Sequence, residues 1–391
     1  MRKHAGTAVL AALGVLALVT VGCAPPEEEP RRPAAAPAKP ERMGFTLVAT
    51  GDVLPHDSVI RQAREDGERS GSPYDFRPML AGVQPVVAAA DVAICHMETI
   101  YGEEKGPFSG YPMFVSPPQV ARALKETGYD SCSTASNHTL DAGSTGVRRT
   151  LDAMDAAGLR HTGSARSAAE GGRVNLLRAG PATVAQLSYT YGTNDIPVPE
   201  GRPWTVNLID PGRIVADARA ARKAGADVVA VSLHWGTEWQ REPDERQLTL
   251  ARRLTAATTA GRPDIDLILG THNHVPQAYE KVNGTWVVYG MGDQLAGEMY
   301  NPEGDQDARG NQSSIARFTF APPTAAGRRW RVTKAEFVPQ VTDLRRPFRV
   351  LDLGRTLVRE PGRADLAEAR ERIRDAVLSR GAAKDGLVMT G

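Results

Sequence analysis

The chain has 391 residues, with 47 basic and 46 acidic side chains, so its formal net charge is +1. Charges of both signs are mixed along the sequence, and this lack of a basic stripe argues against a nucleic-acid partner. Beyond its N-terminal segment the chain keeps about 350 residues, enough for one large α/β domain.

The first 23 residues have the features of a secretory signal. A positive start, Met1-Arg2-Lys3-His4, precedes an apolar stretch at residues 7–21 that is too short to span a membrane comfortably. The segment ends in Thr20-Val21-Gly22-Cys23, which resembles the lipobox of bacterial lipoproteins and would place a lipid on Cys23. The alternative is an ordinary signal peptide cleaved near Ala24. We expect an extracytoplasmic lipoprotein anchored to the cell membrane.

Residues 24–43 are mostly Pro, Ala, Glu and Arg and offer almost nothing to bury, which predicts a semi-extended tether. No further apolar stretch of membrane length follows Val21, so we expect the N-terminal segment alone to touch the bilayer. The sequence then predicts a domain at residues 44–350 and a helical C-terminal tail at residues 351–391 that caps it.

Strands and helices alternate after residue 44, which is typical of a layered α/β sheet. In chain order, we predict a strand at 45–49, a helix at 78–90, a strand at 92–95, a helix at 119–127, a strand at 129–134 and a helix at 147–157. We then predict a strand at 184–187, a helix at 211–224, a strand at 227–233, a helix at 247–257, and strands at 266–269 and 286–289. The pattern weakens after Pro323, where residues 330–338 alternate as a strand and residues 363–380 have helical composition.

Two cysteines besides Cys23 lie inside predicted strands. Cys95 and Cys132 could form a disulfide outside the cytoplasm. They could equally be two small hydrophobic side chains packed in the core. The sequence leaves both readings open.

Potential metal ligands and proton carriers gather at the ends of the predicted strands. Six of the eight histidines lie there, the exceptions being His4 and His161. Ligands in open α/β sheets bind at the carboxyl ends of strands, so this concentration of a scarce residue type predicts a metal site. The candidates are Asp52, His56, His96, Glu98, Asn137, His138, Asp141, His234, Glu238, His272 and His274.

This inventory suits a pair of divalent ions that activate one water molecule and neutralise charge on the group under attack. Carboxylates, neutral imidazoles and an amide oxygen together favour Zn, Mn or Fe over Mg or Ca. The predicted ligands are Asp52, Glu98, Asn137, His234, His272 and His274. His138 could then act as general acid, with Asp141 orienting its ring.

Each residue alone has a simpler explanation. Asp52 after Gly51 could cap a turn, Asn137-His138 could be a polar loop, and Glu98 could pair with an arginine. The hypothesis of a metal site depends on the joint pattern.

The ordered motifs resemble those of the bacterial capsule-synthesis family associated with poly-γ-glutamate (CapA, PGA_cap), a branch of the calcineurin-like metallophosphoesterases. They are Ala49-Thr50-Gly51-Asp52, a strand ending in Glu98, Ser136-Asn137-His138-Thr139-Leu140-Asp141, His234-Trp235-Gly236-Thr237-Glu238, and Gly270-Thr271-His272-Asn273-His274. The resemblance implies a four-layer α-β-β-α sandwich. It also implies that the six predicted ligands hold two metal ions and that His138 with Asp141 forms the acid position.

Some positions depart from the superfamily pattern. The superfamily usually begins with Asp-x-His, whereas His56 lies four residues after Asp52. The predicted bridging ligand is Glu98 rather than the commoner Asp. His56, His96 and Glu238 are possible additional ligands.

The resemblance implies a surface-anchored, metal-dependent hydrolase or transferase of capsule biosynthesis. Its expected partners are poly-γ-glutamate or another envelope polymer and components of the capsule synthase. One alternative is a non-catalytic accessory protein that binds the polymer or the synthase. Another is a phosphodiesterase whose substrate is unrelated to capsule.

Overall fold

The computed structural model describes residues 44–324 and 329–391. The predicted signal segment at residues 1–23, its Cys23 and the tether at residues 24–43 lie outside the described residues. Within the described ranges, no helix combines the length and the apolar character needed to cross a membrane.

Strands and helices follow one another through most of the described chain. The strands are β1 (Phe45–Val53), β2 (Val92–Met97), β3 (Ser131–Ser133), β4 (Arg160–Thr162), β5 (Asn175–Ala179), β6 (Ala182–Thr190), β7 (Val228–His234), β8 (Thr258–Thr259), β9 (Arg262–Pro263), β10 (Leu267–Thr271), β11 (Tyr279–Val282), β12 (Thr285–Val288), β13 (Asp293–Leu295), β14 (Gln312–Ala321), β15 (Arg331–Asp343), β16 (Arg349–Asp352) and β17 (Leu387–Met389). The α-helices are α1 (Asp57–Ser70), α2 (Arg77–Leu80), α3 (Gln84–Val87), α4 (Gln119–Thr127), α5 (Gly143–Ala157), α6 (Ala168–Gly171), α7 (Pro211–Lys223), α8 (Glu245–Thr255), α9 (Leu353–Arg359) and α10 (Ala364–Val377). Short 3₁₀ turns occupy Ala308–Asn311 and Ala382–Asp385.

Two large sheets organise these strands. The first has the order β16-β15-β14-β1-β2-β3-β4, with β13 paired to β1 and β17 paired to β15. The second has the order β11-β12-β10-β7-β6-β5. In the first sheet β1, β2, β3 and β4 run parallel, and in the second β6, β7, β10 and β12 do. Each sheet therefore has an edge at which several carboxyl ends meet.

The alternation of side chains along the central strands shows the layers. Leu47 of β1 and Val228 of β7 belong to one apolar cluster between the two sheets. The next residue of β1, Val48, belongs to a cluster shared with α1 and α4, whereas Val229 belongs to one shared with α7 and α8. Because successive side chains of a strand point to opposite faces, helices cover the outside of each sheet. The predicted four-layer α-β-β-α sandwich is confirmed.

The helix predicted at residues 78–90 is wrong. The chain forms two separate short helices there, and each carries a proline in its first turn, Pro78 in α2 and Pro85 in α3. A proline inside a continuous helix would remove a hydrogen bond and clash with the preceding turn, so the helix stops and restarts. In contrast, the helix predicted at residues 119–127 is present with those bounds.

The C-terminal tail contributes to the first sheet as well as adding helices. The boundary predicted after residue 350 falls inside β16, which pairs with β15. The last strand, β17, pairs with β15 in parallel. The description of residues 351–391 as a helical tail is therefore incomplete, because a three-residue strand that depends on a distant partner leaves no periodic signal of its own.

The structure joins Cys95 and Cys132 in a disulfide that spans 37 residues of sequence. The two residues are register partners on the adjacent parallel strands β2 and β3, and both are fully buried. This bond ties together the two strands that lead to Glu98 and Asn137.

Candidate metal centre

The carboxyl ends of both parallel ladders deliver polar side chains to one buried region. On the first sheet, Asp52 of β1 is the register partner of His96 of β2. On the second sheet, His234 ends β7 opposite Thr271 of β10. The two edges meet, because His234 Nδ1 lies 3.7 Å from Asp52 Oδ1. Residues far apart in sequence thus form one cluster.

Asp52 lies at the junction between the sheets. Its Oδ2 accepts a hydrogen bond from the backbone N–H of His272 at 3.0 Å. Its Oδ1, which has no hydrogen-bond partner among the described residues, lies 3.5 Å from His96 Nε2. Asp52, His96 and His234 form one group whose ligand atoms could share a metal ion.

Glu98 forms the second part of the cluster. Its side chain is buried, and neither carboxylate oxygen has a hydrogen-bond partner among the described residues. His234 Nε2 lies 3.6 Å from Glu98 Oε1 and 2.8 Å from Asn137 Oδ1. Ligand atoms around a tetrahedral zinc ion are separated by about 3.4 Å, so the 3.6 Å spacing suits a shared cation, whereas the 2.8 Å contact is a hydrogen bond. Glu98, His234 and His272 form a second metal-compatible group.

Sequence reasoning missed one residue of the cluster, Asp293. It begins β13, pairs with Asp52 in register, and its Oδ1 lies 3.1 Å from His274 Nδ1. Asp52, Glu98, His274 and Asp293 form a third buried group of possible ligands. A signal for Asp293 was present, because Gly292-Asp293 after a predicted strand repeats the Gly51-Asp52 pattern.

The backbone around the cluster is tightly constrained. His272 and His274 have positive φ values of 93° and 58°, a region that side chains other than glycine rarely adopt. A Cβ atom placed on Gly51 would lie 1.7 Å from the carbonyl oxygen of Gly292. Such strain persists where the surrounding structure fixes it, which is common at functional sites.

The electrostatics of the cluster favour a bound cation. Burial, and then repulsion by Asp293, raise the pKa of Asp52 to about 8. Burial, and then repulsion by Asp52, raise the pKa of Glu98 well above its usual value. Burial lowers the pKa of His234 and of His272 well below the usual range, so both imidazoles are neutral and able to bind a metal.

These observations fit a divalent metal ion. Asp52, Glu98 and Asp293 each have buried oxygen atoms without a hydrogen-bond partner among the described residues. A buried acceptor without a partner is unfavourable, and a cation held between several of them would remove that penalty. The donor set of carboxylates, imidazoles and one amide is the kind that binds divalent transition metals.

His138 and Asp141 form a separate pair beside the cluster. His138 Nδ1 donates a hydrogen bond to Asp141 Oδ2 at 2.7 Å, and the same oxygen accepts one from the backbone N–H of Phe114 at 2.7 Å. The ring of Phe114 packs edge-on against His138 with 4.7 Å between centroids. The imidazole is therefore held in one orientation, with Nε2 left for a proton transfer.

The three possible additional ligands lie in different places. His96 joins the cluster through Asp52 and stacks on His234 with 4.7 Å between ring centroids. His56 belongs to none of the metal-compatible groups of the described residues, and its ring packs edge-on against Phe114. Glu238 lies at the rim, with Oε1 4.0 Å from His272 Nε2 and 44% of its side chain exposed.

Tyr191 is a second residue that sequence reasoning did not single out. The centroid of its ring lies 4.6 Å from that of His272. Burial, and then the nearby Glu238, raise the pKa of Tyr191 to about 12, so its hydroxyl group remains a donor at neutral pH.

A cavity of about 680 Å³ opens beside the cluster. His138 and His274 form its inner wall. The aromatic side chains that line it are Tyr111, Phe114, Trp239 and Tyr300.

The model of one protein family, described as bacterial capsule synthesis protein PGA_cap, matches residues 46–298. This span is more than half of the chain. The chain belongs to the PGA_cap family.

Curated relatives agree with the family assignment. The capsule biosynthesis protein CapA of Bacillus anthracis is 26% identical over 273 residues, which cover 67% of this chain and 62% of that protein. The PGA biosynthesis protein CapA of Bacillus subtilis is 28% identical over 179 residues, which cover 44% of each. A probable polyglutamine synthesis accessory protein of Mycobacterium tuberculosis is 28% identical over 276 residues, covering 66% of this chain and 68% of that protein. This chain thus matches less than two thirds of the length of either Bacillus protein.

One solved structure similar to this PGA_cap chain is the calcineurin-like phosphoesterase YfkN of Bacillus subtilis. It is 14% identical, covers 84% of this chain and 99% of that one, and has a TM-score of 0.41. A phosphatase from Mycoplasma pneumoniae is also 14% identical, covers 78% and 95%, and has a TM-score of 0.43. Both likenesses are distant.

The matched span of the PGA_cap chain contains the whole cluster. It begins just before Asp52 and ends shortly after Asp293, at residue 298. It also includes His138 and Asp141. The strands from β14 onward, which complete one side of the first sheet, lie outside it.

Proposed function

We propose that this protein is a metal-dependent hydrolase or transferase of capsule or poly-γ-glutamate biosynthesis. The observation that carries the proposal is the buried carboxylate of Glu98, whose two oxygen atoms have no hydrogen-bond partner among the described residues. Glu98 belongs both to the group with His234 and His272 and to the group with Asp52, His274 and Asp293. A carboxylate shared in this way is suited to bridge two cations.

The residues of the cluster divide into two ligand sets around Glu98. One set offers the amide of Asn137 with His234 and His272, and the other offers Asp52, His274 and Asp293. Two divalent transition ions, Zn, Mn or Fe, would supply an activated water molecule and neutralise charge on the group under attack.

The pair of His138 and Asp141 is suited to protonate the leaving group. The Asp141 carboxylate holds the Nδ1 proton of His138, so Nε2 can give a proton to the leaving group as its bond to phosphorus or to a carbonyl carbon breaks. Water, or an acceptor in the case of transfer, forms the new bond to the same atom. Tyr191 can donate a hydrogen bond at the rim of the centre.

The biological setting is supported by the family description and by the names of the two Bacillus relatives. We infer that poly-γ-glutamate or another envelope polymer is the substrate, that capsule synthase components are partners, and that lipidation of Cys23 anchors the protein outside the cytoplasm. Palmitate incorporation into the expressed chain, absent in a Cys23→Ala variant, tests the anchor.

The test of the enzyme measures metal content and turnover on the full chain extracted in mild detergent. We expect two transition ions per chain by elemental analysis and hydrolysis of either bis(p-nitrophenyl) phosphate or a γ-glutamyl anilide. His138→Ala should lower turnover by about 10²–10⁴-fold with unchanged metal content. His161→Ala, a histidine outside the cluster, is the matched control and should leave turnover unchanged. A chain that holds no transition ion and turns over neither compound refutes the proposal.

The second candidate function is that of an accessory protein, and the name of the Mycobacterium tuberculosis relative favours it. Under this function, a strain carrying His138→Ala would still make polymer, and the purified variant would still bind it. Turnover of the phosphodiester without turnover of the γ-glutamyl anilide would instead favour a phosphodiesterase unrelated to capsule.

A further inference from the structure

The cavity beside the metal centre is the place for the substrate group that adjoins the reacting bond. Trp239 connects the two, because its ring lies 6.1 Å from that of His274 and also lines the cavity. Phe114, which also lines the cavity, packs against His138. A substrate that reaches the metal-binding residues and the pair of His138 and Asp141 therefore extends into this cavity.

The charges of the cavity oppose an anionic chain. Arg61 is the one arginine or lysine among the described residues that line it, and Arg61 is already paired with Glu298 at 3.3 Å. Asp57 and Glu238 add two further carboxylates to the lining. A γ-linked glutamate polymer carries one free carboxylate on every residue, so in this cavity it would meet like charge that no unpaired arginine or lysine of the lining offsets.

The same lining suits a ligand with apolar faces and hydroxyl groups. Tyr111 and Tyr300 are 75% and 57% exposed, which leaves their rings open to stacking at the mouth of the cavity. Carboxylates accept hydrogen bonds from hydroxyl groups and need no positive partner to do so. Aromatic rings beside carboxylate acceptors match the C–H faces and the O–H groups of a sugar ring.

We propose that the cavity binds a neutral sugar unit next to the reacting bond, so that the substrate of the metal centre is a glycan or a sugar-bearing polymer rather than bare poly-γ-glutamate. This inference rests on the proposed function, since it assigns the cavity to the substrate of that centre. In this arrangement the ligand cluster would hold the cations that attract the reacting anionic group, and the cavity would select the uncharged part beside it.

The test is calorimetric titration of the full chain, loaded with Mn²⁺, with five tetramers. Four are neutral oligosaccharides of glucose, galactose, mannose and N-acetylglucosamine, and the fifth is a γ-linked glutamate tetramer. We expect at least one neutral oligosaccharide to bind more tightly than the glutamate tetramer. Trp239→Ala and Tyr300→Ala should each weaken that sugar about five-fold, as the loss of one aromatic platform predicts.

Two further variants keep the test specific. Trp239→Phe retains an aromatic face and should keep most of the affinity, which separates loss of stacking from loss of folding. Trp204→Ala alters a partly buried tryptophan that lines a different cavity and should have no effect. Tighter binding of the glutamate tetramer, no binding of any tetramer, or an unchanged Kd in Trp239→Ala would each overturn the inference. Turnover of bis(p-nitrophenyl) phosphate by the same preparation reports separately on the proposed function.

Discussion

Asp293→Asn is the substitution that tests the architecture of the centre most directly. It removes one negative charge and keeps the size and shape of a fully buried side chain. Asp293 contacts His274 Nδ1 at 3.1 Å, and its other oxygen has no hydrogen-bond partner among the described residues. If Asp293 binds a cation itself, the variant should lose affinity for one of the two ions and retain the ion held near His234.

The geometry sets the size of the effect. The ligand atoms of Asp52, Glu98, His274 and Asp293 lie within 4.8 Å of one another. A cation held among these atoms would lie nearer than that to each carboxylate, so at an effective dielectric constant of about 20 one carboxylate would attract each unit of cation charge by at least about 3 kcal/mol. Desolvation of the carboxylate offsets part of this, and removal of a carboxylate that hydrogen-bonds to a metal-binding histidine, as Asp293 does to His274, commonly lowers affinity by about 10–100-fold. We therefore expect a loss of about 1.4–2.7 kcal/mol in metal binding.

The assay is competition between the protein and a chromophoric chelator for Mn²⁺ or Zn²⁺, followed by elemental analysis after dialysis. Asp352→Asn is the matched control, because Asp352 is another buried aspartate that caps α9 through the backbone N–H of Arg355 at 3.1 Å. The control should change stability and leave metal affinity as it was. Two ions per chain with unchanged affinity in Asp293→Asn would refute the assignment of Asp293 as a ligand.

Three further predictions follow from the same contacts. Because burial raises the pKa of Asp52 to about 8, a cation must displace a proton below that pH. Metal affinity should therefore rise with pH and level off above about 8, with proton release measured by calorimetry in buffers of different ionisation enthalpy. Replacing Cys95 and Cys132 together by serine should lower the free energy of unfolding by about 4 kcal/mol, the value expected for a closed loop of 37 residues, and a lower urea midpoint would show it. Gly51→Ala should abolish metal binding, because its Cβ would lie 1.7 Å from the Gly292 carbonyl oxygen; an unchanged metal content by elemental analysis would contradict this.

The sequence was sufficient for the parts of the site that depend on local pattern. A buried strand followed by glycine and polar residues predicts where Asp52, His234 and His272 lie, since each stands at or just after a strand end. Because the strands are parallel, their carboxyl ends meet at one edge of each sheet, and this too could be predicted from the sequence. Asn137 and His138 follow β3 by the same logic.

The parts that depend on long-range pairing could not be read locally. Gly292-Asp293 repeats the Gly51-Asp52 pattern, but Asp293 enters the centre because the three-residue strand β13 pairs with β1, and a strand that short has no recognisable period from which to predict that pairing. His56, in contrast, follows β1 closely and still joins none of the metal-compatible groups of the described residues. It occupies the N-cap position of α1, so the chain has already turned away from the sheet edge at that point.

The opposite pKa shifts of the cluster predict that folding and metal binding depend on each other. The burial that keeps His234 and His272 neutral, and so ready to bind a cation, also raises the pKa of Asp52 and Glu98. The raised pKa values favour the protonated carboxylates when no cation is bound, and a cation must displace those protons. The positive φ of His272 also favours a dependence of stability on metal binding. The strained backbone presents an imidazole to buried carboxylates, and this arrangement is stable chiefly when a cation lies between them. The centre is thus pre-organised by the two sheets at some expense in stability, and the bound metal should restore it.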